Sequence, residues 1–419
     1  MKNNSVSFVK KNGCMQKLIG ILREGKVPPD KRVPLTPKQC VQVMERFSDV
    51  KIIVQKSPIR AFKDSEYDDL GVEVKDDLTD CEIIFGVKEV NIEDLIPNKH
   101  FFFFSHTIKK QPYNRELLQA IIKNKIKLTD YEALTDDKGK RLIGFGRYAG
   151  IVGCYNGIRT YGLKHDLYSL KPAHECSDRK EMEGELKKVK LPKNTKIVLT
   201  GFGRVGNGAR EVISLLPIKK VEANEFLTKA FDAPVFTHLL IDDYTEREDN
   251  QLFNRSDFYK DGSGHRSTFN RYLKQADMYI ACHFWQEGSP FLFTRADLKE
   301  KDIRTSVVAD ISCDIDGPVA STIRPSTIAD PIYGYDPYSE EEVDYKKENA
   351  IAVMAVDNLP CELPKDASED FGEELIKHVL PALLESDPMN VIERGSETTK
   401  DGELSSYFTY LKDYLEGKE

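Results

Sequence analysis

Short apolar runs alternate with amphipathic stretches along the first 150 residues of the chain. The apolar runs predict strands over 18–24, 51–55, 81–90, 99–106 and 126–132. Helices are predicted over 115–125 and after Thr36, which can cap a helix whose first residue is Pro37. Strands that alternate with helices form parallel sheets through crossover connections, and uninterrupted apolar runs are typical of strands covered on both faces.

A second alternation begins with a strand and a helix over 195–216. Further strands are predicted over 235–243, 277–284, 304–312 and 350–357, and a helix over 366–384. Small residues at close helical spacing over 144–164 predict a long helix that joins the two halves. The polar segment 386–419 is predicted to form a tail or a short surface helix. The pattern as a whole predicts the α/β class, with two Rossmann-like domains built on parallel sheets.

Composition and charge narrow the classes of function. The 419 residues include 61 Lys plus Arg and 69 Asp plus Glu, a net charge of −8, which argues against nucleic acid as a partner. The sequence contains no run of 18 apolar residues, so no membrane span is predicted, and the first 20 residues lack the apolar segment of a signal peptide. The eight cysteines are scattered without a CxxC pair. We therefore expect a reducing, cytoplasmic environment without disulfides or a metal site.

A glycine-rich loop follows the apolar run 196–200. Gly201, Gly203 and Gly206 form a GxGxxG motif, with Arg204 and Val205 between the last two glycines. In such a motif the first glycine permits a tight turn and the second lets the backbone approach a pyrophosphate, while the helix N-terminus supplies N–H groups and partial positive charge. The strand before the loop and the helix after it favour a dinucleotide site over a purely structural turn.

Acidic residues end two later strands of this half. A dinucleotide fold usually carries an acid about 20 positions after the glycines to bind the adenosine ribose, but Asp242 and Asp243 come later. If they end the second strand of the fold, they favour NAD over NADP, because a carboxylate repels a 2′-phosphate. The alternative is a pair of solvated surface acids. Asp310 and Asp314 end another strand, and their spacing does not match a calcium-binding loop.

Basic residues gather just beyond the first predicted strand. Arg23, Lys26, Lys31 and Arg32 fall within one short stretch of an acidic chain. Guanidinium groups bind carboxylates through two parallel hydrogen bonds. The cluster therefore indicates an anion site, with a solvated loop as the alternative.

Residues suited to proton transfer end two further strands. Lys88 follows one apolar run and His106 the next, and Glu132 and Arg141 come at and after the end of the last strand. The carboxyl ends of parallel strands share one sheet edge, where ligands bind. His titrates near neutral pH, and Lys does so when it is desolvated. We expect a site for a substrate with several charges, although His106 after four phenylalanines also suits the margin of a core.

Several longer motifs extend from about residue 17 to 385. They read REGKVPPDKRVPLTP, GVKEV, FFFFSHTIKKQ, LTDYEAL, RLIGFGRYAG, GFGRVGNGA, VVADISCDIDG and AVDNLPCELPKDASEDFG. This set resembles the alanine dehydrogenase/transhydrogenase superfamily, and most of all its saccharopine branch, the lysine-forming saccharopine dehydrogenases and lysine–2-oxoglutarate reductases. The combination of SHTIK, DYE and DISCDI is more specific than the glycine motif alone.

The resemblance implies two α/β domains separated by a cleft, with the chain returning to the first domain. The implied bounds are 15–153 with 358–385 for the substrate domain, 154–357 for the dinucleotide domain and 386–419 for the tail. The segment 218–234 is longer than in the shorter members of the family. Asp242 stands where relatives that use NADP tend to carry a basic residue.

The resemblance also implies a reaction and a set of site residues. The reaction is the NAD-dependent oxidation of saccharopine to lysine and 2-oxoglutarate, or its reverse, with small amino acids and 2-oxo acids as partners and neither nucleic acid nor membrane. Alanine dehydrogenase activity and an NAD(H)-binding regulator without turnover are the alternatives. The implied acid–base residues are Lys88 and His106. The implied substrate-binding residues are Arg23, Lys109, Glu132 and Arg141. The implied cofactor-binding residues are Gly201, Gly203, Arg204, Val205, Gly206, Asp242, Asp310 and Ser312.

Overall fold

Two units divide the chain, which leaves the first unit and later returns to it. The computed structural model describes residues 16–418; unit 1 comprises 16–144 and 367–418, and unit 2 comprises 145–366. Cys14 and most of the stretch considered for a signal peptide lie outside the described residues. The seven cysteines within 16–418 are free thiols. None of the helices in this part of the chain is both long and apolar enough to cross a membrane.

Unit 1 is built on a six-stranded parallel sheet. Its strands are β1 (Lys17–Ile21), β2 (Val50–Gln55), β3 (Glu73–Lys75), β4 (Ile83–Phe85), β5 (His100–Phe103) and β6 (Lys127–Asp130). Their spatial order is β3-β2-β1-β4-β5-β6, and every neighbouring pair is parallel. The strand centres are buried, as the uninterrupted apolar runs predict.

Helices α1 (Pro37–Arg46), α2 (Asp64–Asp68) and α3 (Arg115–Lys123) connect these strands. The start of α1 is confirmed. The hydroxyl of Thr36 accepts a hydrogen bond from the amide of Gln39, whose side chain accepts one from the amide of Thr36. This capping box satisfies two backbone donors that the helix itself leaves unpaired.

Unit 2 carries an eight-stranded mixed sheet and a separate two-stranded ribbon. Its strands are β7 (Lys196–Thr200), β8 (Lys219–Lys220), β9 (Val235–Leu239), β10 (Thr245–Arg247), β11 (His265–Ser267), β12 (Met278–Ala281), β13 (Val307–Asp310), β14 (Ile332–Asp336), β15 (Glu341–Val343) and β16 (Ile351–Met354). Its helices are α4 (Gly146–Lys164), α5 (Arg179–Glu185), α6 (Arg204–Ile213), α7 (Ala223–Thr228), α8 (Arg255–Lys260), α9 (Asn270–Leu273) and α10 (Arg295–Leu298). The large sheet has the order β15-β14-β16-β13-β12-β7-β9-β8, and β10 pairs with β11.

The α/β class is confirmed, and unit 2 differs from an all-parallel sheet at one edge. β14 runs antiparallel to both β15 and β16. The short connection between β14 and β15 accounts for the antiparallel pairing of these two strands, because a tight turn joins antiparallel strands whereas parallel strands need a long crossover.

The small-residue segment 144–164 forms α4, which lies wholly within unit 2. It packs against α6 at very short range. A β-carbon on Gly150 would lie 1.9 Å from the carbonyl oxygen of Val205, so a glycine is required for the two helices to approach. The unit boundary at 144/145 therefore precedes α4, whereas the implied boundary at 153/154 falls inside it.

The returning segment completes unit 1. It forms α11 (Pro364–Glu374), a π-turn over 375–379, α12 (Leu380–Leu384), α13 (Val391–Gly395) and α14 (Lys412–Glu416). The residues after 386 belong to unit 1 rather than to a separate tail. Ser396 bridges Thr129 antiparallel to β6, and Tyr414 is buried with Leu118 of α3. The segment thereby covers strand β6, which is the edge of its sheet.

Candidate active site and dinucleotide loop

The predicted chemical residues of unit 1 lie at one edge of its sheet. Arg23 comes two residues after β1, Lys88 three after β4, His106 three after β5 and Glu132 two after β6. These four strands are consecutive neighbours in the sheet and run parallel. Their carboxyl ends therefore bring the four side chains to the same edge, in that spatial order.

The carboxylate of Glu89 bridges the imidazole of His106 and the amine of Lys26. Nδ1 of His106 lies 2.5 Å from Oε1 of Glu89, and Nζ of Lys26 lies 2.9 Å from Oε2. Burial alone would raise the pKa of Glu89, but the hydrogen bonds from His106 and Lys26 lower it to about 2. A carboxylate only accepts hydrogen bonds, so Nδ1 carries a proton. Nε2 of His106 makes no hydrogen bond to any residue of 16–418 and is available to a ligand.

The backbone of Lys88 is fixed by a hydrogen bond, whereas its side-chain amine has no partner among residues 16–418. The carboxylate of Glu24 accepts hydrogen bonds from the amides of Val87 (2.7 Å) and Lys88 (2.9 Å). Nζ of Lys88 has no hydrogen bond or ion pair within the described residues. Burial lowers the pKa of Lys88, and the charge of Arg32 lowers it further. The Lys88 amine therefore gives up its proton more readily than the amine of an exposed lysine.

Glu24 is itself an unusual carboxyl group. Burial and the neighbouring charge of Asp30 raise the pKa of Glu24 to about 7, against the opposing effect of its two amide donors and of Arg32. The Glu24 carboxyl, after β1, thus bonds the backbone at Lys88, after β4, and the pKa of each of these two residues is displaced from its ordinary value. Such displaced values are typical of functional sites.

The basic cluster at 23–32 separates into different environments. Arg32 is buried and binds Asp30 through Nη2 at 2.5 Å and Nε at 3.0 Å, so it is not part of a solvated loop. Lys26 pairs with Glu89, whereas Lys31 is exposed. Arg23 is half exposed, with Asp94 at 3.9 Å. The charges of Arg32 and Lys26 both lower the pKa of Lys88, whereas Lys31 lies in solvent.

Three further predicted residues form one cluster. Glu132 lies 2.9 Å from Nη2 of Arg141 and 3.7 Å from Nζ of Lys109. Glu132 is mostly buried, whereas about half of each cationic side chain is exposed. Two positive charges thus face one negative charge in this cluster.

A groove of about 410 Å³ adjoins Glu89, the residue that bonds the imidazole of His106. Lys26 and Glu89 line it, with the apolar side chains of Ile92, Tyr113 and Leu117 on its walls. The groove gives a small molecule access to the neighbourhood of Glu89 within unit 1.

The glycine-rich loop of unit 2 requires its glycines for geometric reasons. Gly201 directly follows β7 with φ +88°, and a β-carbon there would lie 2.0 Å from the carbonyl oxygen of Cys282. A β-carbon on Gly206 would lie 1.8 Å from the carbonyl oxygen of Gly201. Gly203 is the N-cap of α6 and has open space around it. Arg204 and Val205 form the first turn of that helix. The loop therefore fits a pyrophosphate that approaches the backbone at Gly203.

Two histidines that the sequence analysis did not select adjoin this loop. The ring of His238 stacks on Phe202 at 3.8 Å, and its Nε2 lies 2.6 Å from the carbonyl oxygen of Gly201. His283 follows β12 and lies against Gly201 through its backbone. Nδ1 of His238 and Nε2 of His283 are buried and have no hydrogen-bond partner among residues 16–418. Burial lowers the pKa of each histidine to about 4, so both are neutral.

Asp242 lies three residues after β9, and its carboxylate is already paired. Nη2 of Arg255 is 2.7 Å from Oδ1 of Asp242, and both side chains are substantially exposed. Asp242 therefore presents a carboxylate and its guanidinium partner together at this strand end.

Asp310 uses its carboxylate to organise the loop that follows it. Oδ1 accepts hydrogen bonds from the amides of Ser312 and Cys313 at 3.1 Å, and Oδ2 accepts one from Thr322 at 2.7 Å. Complete burial raises the pKa of Asp310 to about 6. The hydroxyl of Ser312 donates to the carbonyl oxygen of His283 at 3.1 Å. These contacts join the loop after β13 to the segment after β12.

These features define an α/β protein of two Rossmann-like units, one with a charged sheet edge and one with a glycine-rich loop. Residues 20–152 match the sequence model of the alanine dehydrogenase/PNT N-terminal domain. The resemblance indicated by the motifs is thereby confirmed.

Curated relatives extend the similarity over nearly the whole chain. Alpha-aminoadipic semialdehyde synthase of Arabidopsis thaliana is 28% identical over 454 residues, which cover 98% of this chain and 42% of that protein. The mitochondrial enzyme of that name from Mus musculus is 29% identical and covers 93% and 47%. The chain thus spans less than half the length of these relatives. Saccharopine dehydrogenase [NAD(+), L-lysine-forming] of Yarrowia lipolytica is 26% identical and covers 87% and 91%.

Solved structures show the same fold at low sequence identity. L-alanine dehydrogenase superposes with a TM-score of 0.63 at 15% identity, covering 96% of this chain and all of the other. The transhydrogenase of Sinorhizobium meliloti gives a TM-score of 0.55 at 12% identity, covering 93% and 98%.

Proposed function

We propose that the chain is an NAD-dependent oxidoreductase that interconverts saccharopine with lysine and 2-oxoglutarate. The observation that carries the proposal is the arrangement at the carboxyl edge of unit 1. There, a desolvated Lys88 amine and an imidazole anchored by Glu89 stand among several cations. Relatives named for saccharopine dehydrogenase and aminoadipic semialdehyde synthase support this reading.

The cations would hold the carboxylates of the substrate. Saccharopine has three carboxylates around a secondary amine, and the cationic side chains of Arg23, Lys109 and Arg141 are each about half exposed. Glu132 fixes Lys109 and Arg141 relative to each other, so that less conformational entropy is lost when a carboxylate binds.

Lys88 and His106 would move the protons. A neutral Lys88 amine takes the proton of the secondary amine as the C–N bond becomes an imine. Nε2 of His106 takes a proton from the attacking water and returns one to the departing amine of lysine. The bond from Nδ1 to Glu89 stabilises the imidazolium that forms between these two transfers.

Unit 2 would hold NAD. NAD held there would supply the acceptor for the hydride on the carbon next to the amine nitrogen. Gly201, Gly203 and Gly206 shape the loop for the pyrophosphate, with Arg204 and Val205 at the helix start. The buried, unpartnered nitrogens of His238 and His283 beside this loop fit donors or acceptors on the cofactor. Asp242 favours NAD over NADP by repelling a 2′-phosphate.

Two other functions make different predictions. Alanine dehydrogenase activity needs one carboxylate contact and would leave most of the cations at this edge without a role. A regulator that binds NAD(H) without turnover needs no desolvated lysine. The number of cations and the state of Lys88 favour the saccharopine reaction over both. A cytoplasmic location stays a prediction, and the rodent and bovine relatives are named as mitochondrial.

A substrate comparison tests the proposal. NADH oxidation is followed with lysine plus 2-oxoglutarate, and separately with pyruvate plus ammonia. We expect turnover with the first pair. Turnover with only the second pair would establish alanine dehydrogenase activity instead, and NADH binding without turnover on either pair would favour the regulator.

A further inference from the structure

His106 occupies a backbone conformation that the surrounding structure must impose. Its φ of +54° lies in the left-handed region, which residues with a β-carbon rarely adopt. His106 is the N-cap of a short 3₁₀ turn over Thr107–Lys109. The direction of its imidazole therefore depends on the contacts made by its two neighbours in the chain.

Both neighbours of His106 are fixed by buried carboxyl groups. Asp130, at the end of β6, accepts hydrogen bonds from the amide of Ser105 at 2.8 Å and from its hydroxyl at 2.5 Å. Glu397 accepts a hydrogen bond from the hydroxyl of Thr107 and lies 3.0 Å from that of Ser105. The hydroxyls of Ser105 and Thr107 are 2.7 Å apart. All four side chains are fully buried.

Glu397 reaches this cluster from the polar segment that follows residue 386. Its amide donates to the carbonyl oxygen of Leu128 at 2.8 Å, and Thr398 accepts a hydrogen bond from the amide of Leu128 at 2.9 Å. The segment is therefore held against β6 on both sides of the point where Glu397 turns inward.

The buried carboxyl groups of Glu397 and Asp130 affect each other's ionisation. The Glu397 carboxyl hydrogen-bonds Asp130, and burial together with the charge of Asp130 raises the pKa of Glu397 well above its ordinary value. Burial likewise raises the pKa of Asp130. A protonated Glu397 donates to Asp130 and still accepts from Thr107, so each polar atom in the cluster has a partner.

We infer that Glu397 is a positioning residue for the reaction, which fixes the direction of the His106 imidazole by holding Ser105 and Thr107 on either side of it. The inference rests on the acid–base role proposed for His106. It gives the carboxyl-terminal segment a part in catalysis without contact with the substrate. A displacement of a catalytic group by about 1 Å can cost roughly a hundredfold in rate.

Two substitutions of Glu397 separate the effect of its hydrogen bonds from the effect of its charge. Glu397→Gln keeps a carbonyl oxygen for Thr107 and an N–H donor for Asp130, so we expect kcat to stay within about threefold of the parent. Glu397→Ala removes both contacts, and we expect kcat to fall about 10- to 100-fold with little change in the NADH Kd. Glu393→Ala is the matched control, because it deletes an exposed carboxylate of the same segment that pairs with Lys127 of β6.

A second substitution approaches the cluster from the other side. Thr107→Val removes the hydroxyl that binds Glu397 and leaves the carboxyl-terminal segment intact. We expect the same direction of change in kcat as for Glu397→Ala. Thr107→Val therefore decides the question if Glu397→Ala does not fold. Full kcat in whichever of these two variants is folded would overturn the inference, as would a Gln variant as impaired as the Ala variant.

Hydrogen exchange provides a readout that does not depend on turnover. The amides of Ser105 and Thr107 bond to Asp130 and to the Ser105 hydroxyl, so we expect their exchange to accelerate at least tenfold in Glu397→Ala and not in Glu397→Gln or Glu393→Ala. Absence of turnover in the parent protein would remove the proposed function while leaving this test in force. Unchanged exchange in a folded Glu397→Ala protein would refute the positioning role itself.

Discussion

The two sheets use the same topological position in different ways. At the carboxyl edge of unit 1, side chains would carry the chemistry: the Lys88 amine has no partner within residues 16–418, His106 bonds Glu89, and Glu132 pairs with two cations. At the corresponding edge of unit 2, the backbone carries it, because Gly201 and Gly206 leave no room for a side chain.

The difference follows from what each edge would bind. Proton transfer needs groups whose pKa lies near the working pH, and only side chains provide them. A pyrophosphate needs several N–H donors at close range, and a loop without β-carbons presents them at a helix start. Glu89 and Glu132 in unit 1 pair with cationic or titratable side chains, whereas Asp310 in unit 2 holds the amides of Ser312 and Cys313. Variants at the two edges should therefore separate catalysis from cofactor binding.

The largest expected effect comes from the proton-transfer groups. Lys88→Met and His106→Gln should each lower kcat by about 10²- to 10⁴-fold, because each removes a group that we propose as a general acid or base. The NADH Kd, measured by fluorescence titration, should stay within about twofold, since neither residue belongs to the glycine loop.

Lys99→Met is the matched control for these variants. Lys99 lies before β5, at the opposite edge of the same sheet, and donates to the carbonyl oxygen of Thr79. Its kcat should equal that of the parent. A Lys88→Met protein with full kcat across the pH range would contradict the proposed role of side chains at the carboxyl edge of unit 1.

The next effect concerns the glycine loop. Gly206→Ala places a β-carbon against the Gly201 carbonyl and should raise the NADH Kd about tenfold or more. Gly203→Ala meets no protein atom within 4 Å, so it should weaken binding with an unchanged Tm. Gly184→Ala, in open space on α5, should change neither quantity beyond a slight stabilisation. Tight NADH binding by Gly203→Ala would contradict a pyrophosphate at this position.

A smaller effect is expected in the pH dependence of stability. The pKa of Asp310 is about 6 in the folded protein and near 3.8 when unfolded, so the folded state binds a proton more tightly. Its contribution is complete below pH 3.8 and is lost as the pH rises through 6. Asp310→Asn cannot lose a proton, and its amide can still serve the loop. Its free energy of unfolding relative to the parent should therefore rise by about 2 kcal/mol between pH 4 and pH 7.

Urea unfolding at the two pH values measures this difference. A relative stability that is the same at both values would show that the Asp310 carboxyl titrates normally.

The smallest effect concerns the choice of dinucleotide. Asp242→Asn removes the negative charge and releases Arg255 from its ion pair, so we expect the ratio of NADPH to NADH affinity to rise about fivefold. Asp249→Asn, which breaks a comparable exposed pair with Arg247, is the control and should leave the ratio unchanged. A constant ratio in both variants would place Asp242 away from the ribose.

Continuous apolar runs made most strands predictable, together with the residues at their carboxyl ends. The position of Lys88, His106 and Glu132 at one edge follows from parallel strands in a fixed order, which the alternation of strand and helix indicates. The capped start of α1 was predictable for a local reason, since Thr36 and Pro37 satisfy the helix terminus by themselves.

Features that depend on distant contacts were not predictable. β14 contains Gly334 and lies between Pro331 and Pro337, so its composition suggests a turn, and only pairing with β16 makes it a strand. His238 lies in an apolar run that gives no sign of the glycine loop beside it. Glu397 stands in a polar segment, and its partner Ser105 is 292 positions away.

The discontinuity of unit 1 has a consequence for how the chain is made. Unit 2 is a single uninterrupted stretch and can fold as soon as residue 366 leaves the ribosome. The loop that contains His106 can reach its final conformation only after residue 397 has been made, because Thr107 bonds Glu397. Contacts of such wide sequence separation form slowly. During synthesis the molecule therefore acquires its nucleotide-type unit before the histidine reaches its working direction, and a nascent chain stalled after residue 366 would be half assembled and catalytically silent.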